Sequence, residues 1–286
     1  MAITINNNIA SLNAQRRLSE STTSLNRAFE KLSSGLRITR ASDDAAGLAI
    51  ADTLRADQRI ATVAVRNAND GISLVSIADG ALNEIGNVLS RMAELAEQSA
   101  NGVLNSTQRS AIDTEFQALG SEIQRIADTT EFNGLSLLSG GTQVSLQVGF
   151  DSAVTSRIGF SGVEGTLSSL GLAGGSSNVL IYSLNAANEL DGQAAAREAL
   201  DAVKGAISSL TTNRGNLGAA ESRLLVAINT LQVARENFAA AESQIRDVDV
   251  ASEAANLTRL NILQQAGSAV LAQANQQPAL ALSLIG

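Results

Sequence analysis

The chain has 286 residues, with 20 Lys and Arg against 28 Asp and Glu and a formal net charge of −8. It contains neither Cys nor His, which excludes disulfides, thiolate or imidazole metal sites, Cys nucleophiles and histidine-based triads. The acidic balance, with Lys31 and Lys204 as the only lysines, argues against a nucleic-acid partner, because phosphate neutralisation dominates such binding.

One proline and 2% aromatic residues beside 44% hydrophobic residues leave the apolar surface almost wholly to Ala, Leu, Ile and Val, a composition suited to long, slim helices. The N-terminus MAITINNNIASLN lacks the basic and apolar regions of a cleaved signal peptide. No stretch reaches the roughly 18 apolar residues of a transmembrane helix, so no membrane insertion is expected.

In chain order, Leu18, Thr22, Leu25, Phe29, Leu32 and Leu36 keep a three-four spacing that predicts a first helix with a narrow apolar stripe. Residues 33–42 form a connector of turn formers without proline. A second helix is expected from about Asp43 to Ser99, with Ser42 as its cap, Asp43 and Asp44 at the positive end of its dipole, and Asn101-Gly102 as its stop signal. Its seam runs Val65, Ala68, Ile72, Val75, Leu82, Ile85, Leu89 and Met92. The small residues Ala45, Ala46, Gly47 and Ala49 predict close helix approach near its start. Ser106 or Thr107 should cap a third helix carrying Ile112, Phe116, Leu119, Ile123 and Ile126.

The middle of the chain changes period. Phe132-Asn133-Gly134 carries a hairpin turn signal. After Gly140-Gly141, Val144, Leu146, Val148 and Phe150 alternate as a half-buried strand should, and Ile158 with Phe160, then Val179 with Ile181, predict further short strands. The Gly-rich stretch 171–175 lacks the G-x-x-x-x-G-K-[ST] pattern of a phosphate cradle and reads as a loop.

Leu200, Val203, Ile207, Leu210, Leu217, Leu224, Ile228, Leu231, Phe238 and Ile245 then form a heptad seam, with Arg214, Glu221, Arg235 and Glu242 at its skipped positions. It predicts a long coiled-coil-like helix from about Asp191 to Val248, roughly 85 Å long like the second helix. Leu260, Leu263, Gly267, Val270 and Ala274 mark a last helix whose stripe, like that of the first, is too narrow to be stable alone in water. The expected fold is mainly α: a long antiparallel helical bundle or coiled-coil rod with paired terminal helices and a small β-region. Its segments are an N-terminal core helix and connector (1–42), rod helices (43–128), a β-region with exposed loops (129–190), a long rod helix (191–248) and a C-terminal core helix (249–286).

Five stretches in order, INNNIASLNAQRRLSES, LSSGLRITRASDDAAGLAIADTLRAD, RMAELAEQSANG, EFNG and NILQQAGSAVLAQANQQPALALSLIG, closely resemble bacterial flagellin, in a short form without large outer domains. The resemblance implies a non-enzymatic structural subunit, secreted without a cleaved signal, that self-polymerises into the extracellular flagellar filament for motility. It implies no cofactor and no metal, and as partners further copies of itself, flagellar cap and hook-junction proteins, an export chaperone and the type III export apparatus. Leu18, Leu25, Phe29, Leu32, Leu260, Leu263 and Val270 would build the filament core. Matching of RMAELAEQSANG and the next helix puts a patch for the vertebrate flagellin-sensing Toll-like receptor on Arg91, Leu95 and Glu115. The alternative within this class is a hook-filament junction protein, separable by the absence of long homopolymers. A rival of another class, a surface hydrolase, would need convergent acid and base groups in a cleft. Adjacent Asp43 and Asp44 do not face one another on a helix.

Overall fold

A computed structural model describes residues 7–139, 143–160, 163–174, 178–186 and 188–285. Gly140, Gly141 and Gly175, named above, lie outside them. The elements are α1 (Ile9–Ser34), α2 (Ala45–Ser99), α3 (Ser106–Thr129), β1 (Glu131–Phe132), β2 (Leu135–Ser136), β3 (Val144–Gln147), β4 (Arg157–Phe160), α4 (Glu189–Arg246) and α5 (Val250–Ile285). The protein is mainly α, and among the described residues its strands form two antiparallel two-stranded ladders, β1 with β2 and β3 with β4. Two compact units divide the chain: Met1–Gln58 with Glu236–Gly286, and Arg59–Arg235.

The second unit holds the main core. The α2 seam residues Ala68, Val75, Leu82, Ile85, Leu89 and Met92, the α4 seam residues Val203, Leu210, Leu217 and Leu224, and Phe116 and Ile123 of α3 all belong to one buried cluster. Three-four periodicity brings these positions to one side of each helix. The heptad reading of α4 therefore holds, and charge at a skipped position has a structural use. Arg214 pairs with Asp79 of α2 at 2.8 and 3.2 Å.

The hairpin β1-β2 turns on two residues, Asn133 at φ 51 and Gly134 at φ 75, the left-handed pair expected of an Asn-Gly turn. Strands β3 and β4 pair Leu146 with Ile158. The hairpin they form docks on α2, where Asn67 Nδ2 donates to the Gln147 carbonyl at 3.0 Å. Gly71 leaves the notch into which Leu146 projects: a Cβ there would stand 2.2 Å from Leu146 Cδ1.

The structure corrects several local expectations. Helix α2 starts at Ala45, and Asp44, not Ser42, caps it, its Oδ1 accepting from Gly47 N at 2.8 Å. The residues before it are held in the connector by Asp43, so they cannot enter the helix. Asn105, not Ser106 or Thr107, caps α3, through a capping box with Gln108. Ser106 and Thr107 are helical instead. Val179 and Ile181 form no strand and are exposed; Leu180 between them is buried and makes a single bridge with Ala173. Its side chain lies over Gly120 of α3, where a Cβ would stand 2.9 Å from Leu180 Cδ2. That contact reverses the phase read from Val179 and Ile181. Near the start of α2, Gly47 accommodates the Asp44 cap and Ile38 of the connector, while Ala45, Ala46 and Ala49 are exposed. Of these small residues Gly47 alone is set against the cap and connector.

Candidate functional site

In the first unit α1 and α5 run antiparallel. Asn8 Nδ2 donates to the Ala274 carbonyl at 2.8 Å, Ser11 Oγ to Asn275 Oδ1 at 2.6 Å, and Gln264 Nε2 lies 3.5 Å from Thr22 Oγ1. The apolar seam between them is thin: Leu25, Ala28 and Leu260 are buried, with Leu257 packed against them. Of the residues expected to build the filament core, Leu25 and Leu260 thus hold the pair together and Leu18 and Leu32 are half-buried. Phe29, Leu263 and Val270 stand 55%, 46% and 59% exposed. Ile9, Leu12 and Ile262 join them on the outside of the pair. Period explains the split. Leu260, Gly267 and Ala274 are seven apart and share a face, whereas Leu263 and Val270 begin a stripe three positions on. Between the helices lies a groove of about 600 Å³ whose apolar lining includes Ala10, Ala14, Leu18, Leu263, Gly267 and Val270.

The connector is clasped to the end of α4. Gly35, at φ 72, ends α1, and its carbonyl accepts from Val248 N at 3.0 Å. Arg37 N donates to the Arg246 carbonyl at 2.6 Å, and Arg37 Nη2 to the Ile245 carbonyl at 2.5 Å. A cation thus meets the last, otherwise unpaired carbonyls of a long helix. Asp43 accepts from Thr39 N, Thr39 Oγ1 and Arg40 N at 3.0 to 3.1 Å. Those donors, the Thr39 amide foremost, hold its carboxyl below the usual aspartate range against the opposing effect of desolvation. Arg40 grips Glu30 of α1 with two nitrogens, at 2.8 and 3.1 Å, and Ile38 is buried. Alongside, Arg55 of α2 pairs with Glu242 of α4 at 2.8 Å. Arg246, its side chain 14% exposed, lies 3.8 Å from both Asp52 and Glu242, and its Nε and Nη1 have no hydrogen-bond partner among the described residues.

On the second unit Arg91 and Glu115 do meet, with Arg91 Nε and Nη2 at 3.0 and 2.9 Å from Glu115 Oε1 and Nη1 at 3.0 Å from Glu94. Both residues are exposed. Its hydrogen bonds to the Glu94 and Glu115 carboxylates, which accept, raise the affinity of Arg91 for its proton. Leu95 is 2% exposed and belongs to the core, so it is not an exposed anchor beside this ion pair.

Three polar residues escaped the sequence reading: Arg109 and Gln124, which are buried, and Asp113, which is half-buried. Arg109, 1% exposed, reaches from the first turn of α3 to the carbonyls of Ser99 and Asn101 at 2.9 Å. It occupies the carbonyls that end α2, and Gly102 does not take up the left-handed conformation expected of a glycine stop. Asp113 accepts from Leu184 N at 2.7 Å and from Ser183 Oγ, and Gln124 Oε1 from Leu167 N at 3.2 Å, so α3 fastens the irregular segment after β4. An arginine in the first turn of a helix, where the dipole disfavours cations, was the one available signal. Among the described residues no acidic group is arranged to hold a metal ion, and no helix is long and apolar enough to cross a membrane.

The model of the bacterial flagellin N-terminal helical region matches residues 5–143, and that of the bacterial flagellin C-terminal helical region matches residues 200–285. A flagellin of Halalkalibacterium halodurans is 44% identical over 98% of this chain and 99% of its own length. Polar flagellin A of Vibrio parahaemolyticus is 33% identical with full coverage of both chains, in an alignment of 377 positions against the 286 residues here. This chain is thus a short form. A solved structure of a putative flagellar hook-associated protein from Vibrio parahaemolyticus shares the fold, with a TM-score of 0.59, 14% identity, and coverage of 72% of this chain and 100% of that one. Paired, weakly buried terminal helices, a helical core and full-length similarity to flagellins agree: the chain belongs to the bacterial flagellin family, the structural subunits that self-polymerise into the flagellar filament.

Proposed function

We propose that the α1/α5 pair is the surface through which copies assemble, and that it completes its folding only in the filament. Leu25 and Leu260 join the two helices, Leu18 and Leu32 border the seam, and Phe29, Leu263 and Val270 are left for neighbouring copies. The observation that carries this reading is the exposure of those three side chains on a pair whose own core is so thin. Burial is worth about 25 cal/mol per Å² of apolar surface. A seam this narrow offsets the ordering entropy of two long helices only when neighbours add to it.

Such a subunit works by self-association and catalyses nothing. It passes unfolded or partly folded through the type III export apparatus, without a cleaved signal, escorted by an export chaperone. It then folds at the filament tip under the cap, above the hook-junction proteins. The segments 1–42 and 249–286 form the filament core, 43–128 and 191–248 the helices around it, and 129–190 the exposed region. Amide exchange tests the coupling: α1 and α5 should exchange fast in monomer and slowly in filament, and equal protection in both states overturns it. Electron microscopy of the concentrated protein separates a filament subunit, which forms long homopolymers, from a hook-filament junction protein, which does not.

A second reading rests on the exposed Arg91–Glu115 pair, which supports recognition of the monomer by the flagellin-sensing Toll-like receptor. Here Arg91, Glu115 and Glu94 would offer the contact and Leu95 would support it from within the core. Arg91→Ala should weaken binding to the receptor ectodomain without unfolding the protein, and unchanged affinity removes the patch.

A further inference from the structure

Filaments grow without limit when two different surfaces of a subunit meet, so that every copy offers one of each; like-on-like contacts close into dimers. The first unit carries a matching pair of such surfaces. One is the groove between α1 and α5, lined by the small residues Ala10, Ala14 and Gly267 and by Leu18, Leu263 and Val270. Its ions, Arg17 and Glu20, pair with each other at 3.4 Å.

The other surface is Phe29. The segments of this unit contain two aromatic residues, Phe29 and Phe238. Phe238 is half-buried, whereas Phe29 is 55% exposed on α1, beside the uncharged Asn26 and Ser33. Phe29 cannot fill the groove of its own copy: it lies eight positions along α1 from Ser21, the nearest residue of the lining on that helix, about 12 Å at 1.5 Å per residue, and farther from the apolar Leu18, Ala14 and Ala10.

We propose that Phe29 of one copy inserts into the α1/α5 groove of the next, as the head-to-tail contact of the polymer. The proposal deepens the assembly reading and rests on it. Its chemistry is that of a buried aromatic anchor in an apolar pocket, the kind of residue that carries much of an interface's energy. Neither surface brings an unpaired charge into the contact, so none has to be desolvated when the two meet.

The chain has no cysteine, which makes engineered crosslinks specific. Asn13→Cys places a thiol among the residues lining the groove, and Asn26→Cys places one a helical turn from Phe29 on the same face; both positions are exposed. Filaments of the double variant, oxidised and then dissolved in denaturant, should run as a ladder of covalent multimers. Each single variant should stay monomeric, because like thiols do not meet in a head-to-tail contact. A double variant that gives filaments but no ladder, or single variants that give dimers, overturns the proposal. Wild-type protein that makes no filaments would instead count against the assembly reading. Independently, Phe29→Ala should raise the concentration needed for assembly at least about tenfold with monomer helicity unchanged, and an unchanged assembly concentration also overturns it.

Discussion

The two units are made of similar residues and bury them very differently. In the unit spanning Arg59–Arg235, three helices and the small β-region close over one continuous apolar cluster, in which Leu82, Ile85, Leu89, Phe116 and Ile123 are fully enclosed. In the unit formed by Met1–Gln58 and Glu236–Gly286, the α1/α5 pair encloses little beyond Leu25, Ala28 and Leu260 and leaves Phe29, Ile262, Leu263 and Val270 outside. Both follow helical periodicity. What separates them is the number of neighbours available to each stripe. A stripe packed from several sides is a core, and the same kind of stripe packed from one side keeps part of its apolar surface exposed.

The sharpest way to break this comparison is to place a charge on the exposed stripe. Val270→Asp should abolish filaments while leaving the monomer's thermal transition unchanged, because the residue is exposed until a neighbour covers it; desolvating an unpaired carboxylate is then very costly. Normal filaments would place Val270 at solvent. Phe116→Ala probes the other side: loss of a fully enclosed ring should cost about 3–5 kcal/mol of monomer stability, measured by denaturant unfolding. Leu260→Ala, by contrast, should impair assembly far more than it shifts that transition.

Smaller effects sharpen the picture. Arg109→Met removes charged hydrogen bonds to two carbonyls and should cost the monomer about 2–3 kcal/mol, read in the same unfolding experiment. Asp44→Ala removes the cap of α2 at a cost of about 1 kcal/mol, visible as faster amide exchange in its first turn. The smallest effect concerns Asp43, whose folded pKa lies below its unfolded value. It therefore stabilises the connector above the unfolded value of about 4, and that contribution fades as pH falls through the lower folded value. Asp43→Asn should flatten the acid dependence of connector exchange, and an unaltered profile would remove Asp43 as its cause. The exposure of this residue keeps the effect small.

Local order alone made the long helices legible. The seams of α2 and α4 repeat over many turns, and an Asn-Gly step between apolar residues admits few turns besides a tight hairpin. Helix ends were legible only to within a few residues, because several capping residues stood side by side. Asp44 won over Ser42 once Asp43 was engaged by Thr39 and Arg40, and Asn105 won over Ser106 because Gln108 stood at the position that completes a capping box. The resemblance to flagellin rested on whole stretches of sequence, and full-length similarity bore it out.

Tertiary structure decided which side of a stripe is covered and where isolated polar groups find partners. Leu95 continues the periodicity of α2 and could be read as a surface anchor until its enclosure in the core was seen. Leu180, between two exposed apolar residues, is buried because it meets the bare backbone of Gly120, 60 positions earlier in the chain. Arg109 has the composition of a surface residue and is enclosed because the end of α2 offers carbonyls within its reach. Periodicity is a property of one segment and survives in the sequence. Burial and pairing are properties of two segments, and the sequence by itself does not say which residue distant in the chain arrives to complete them.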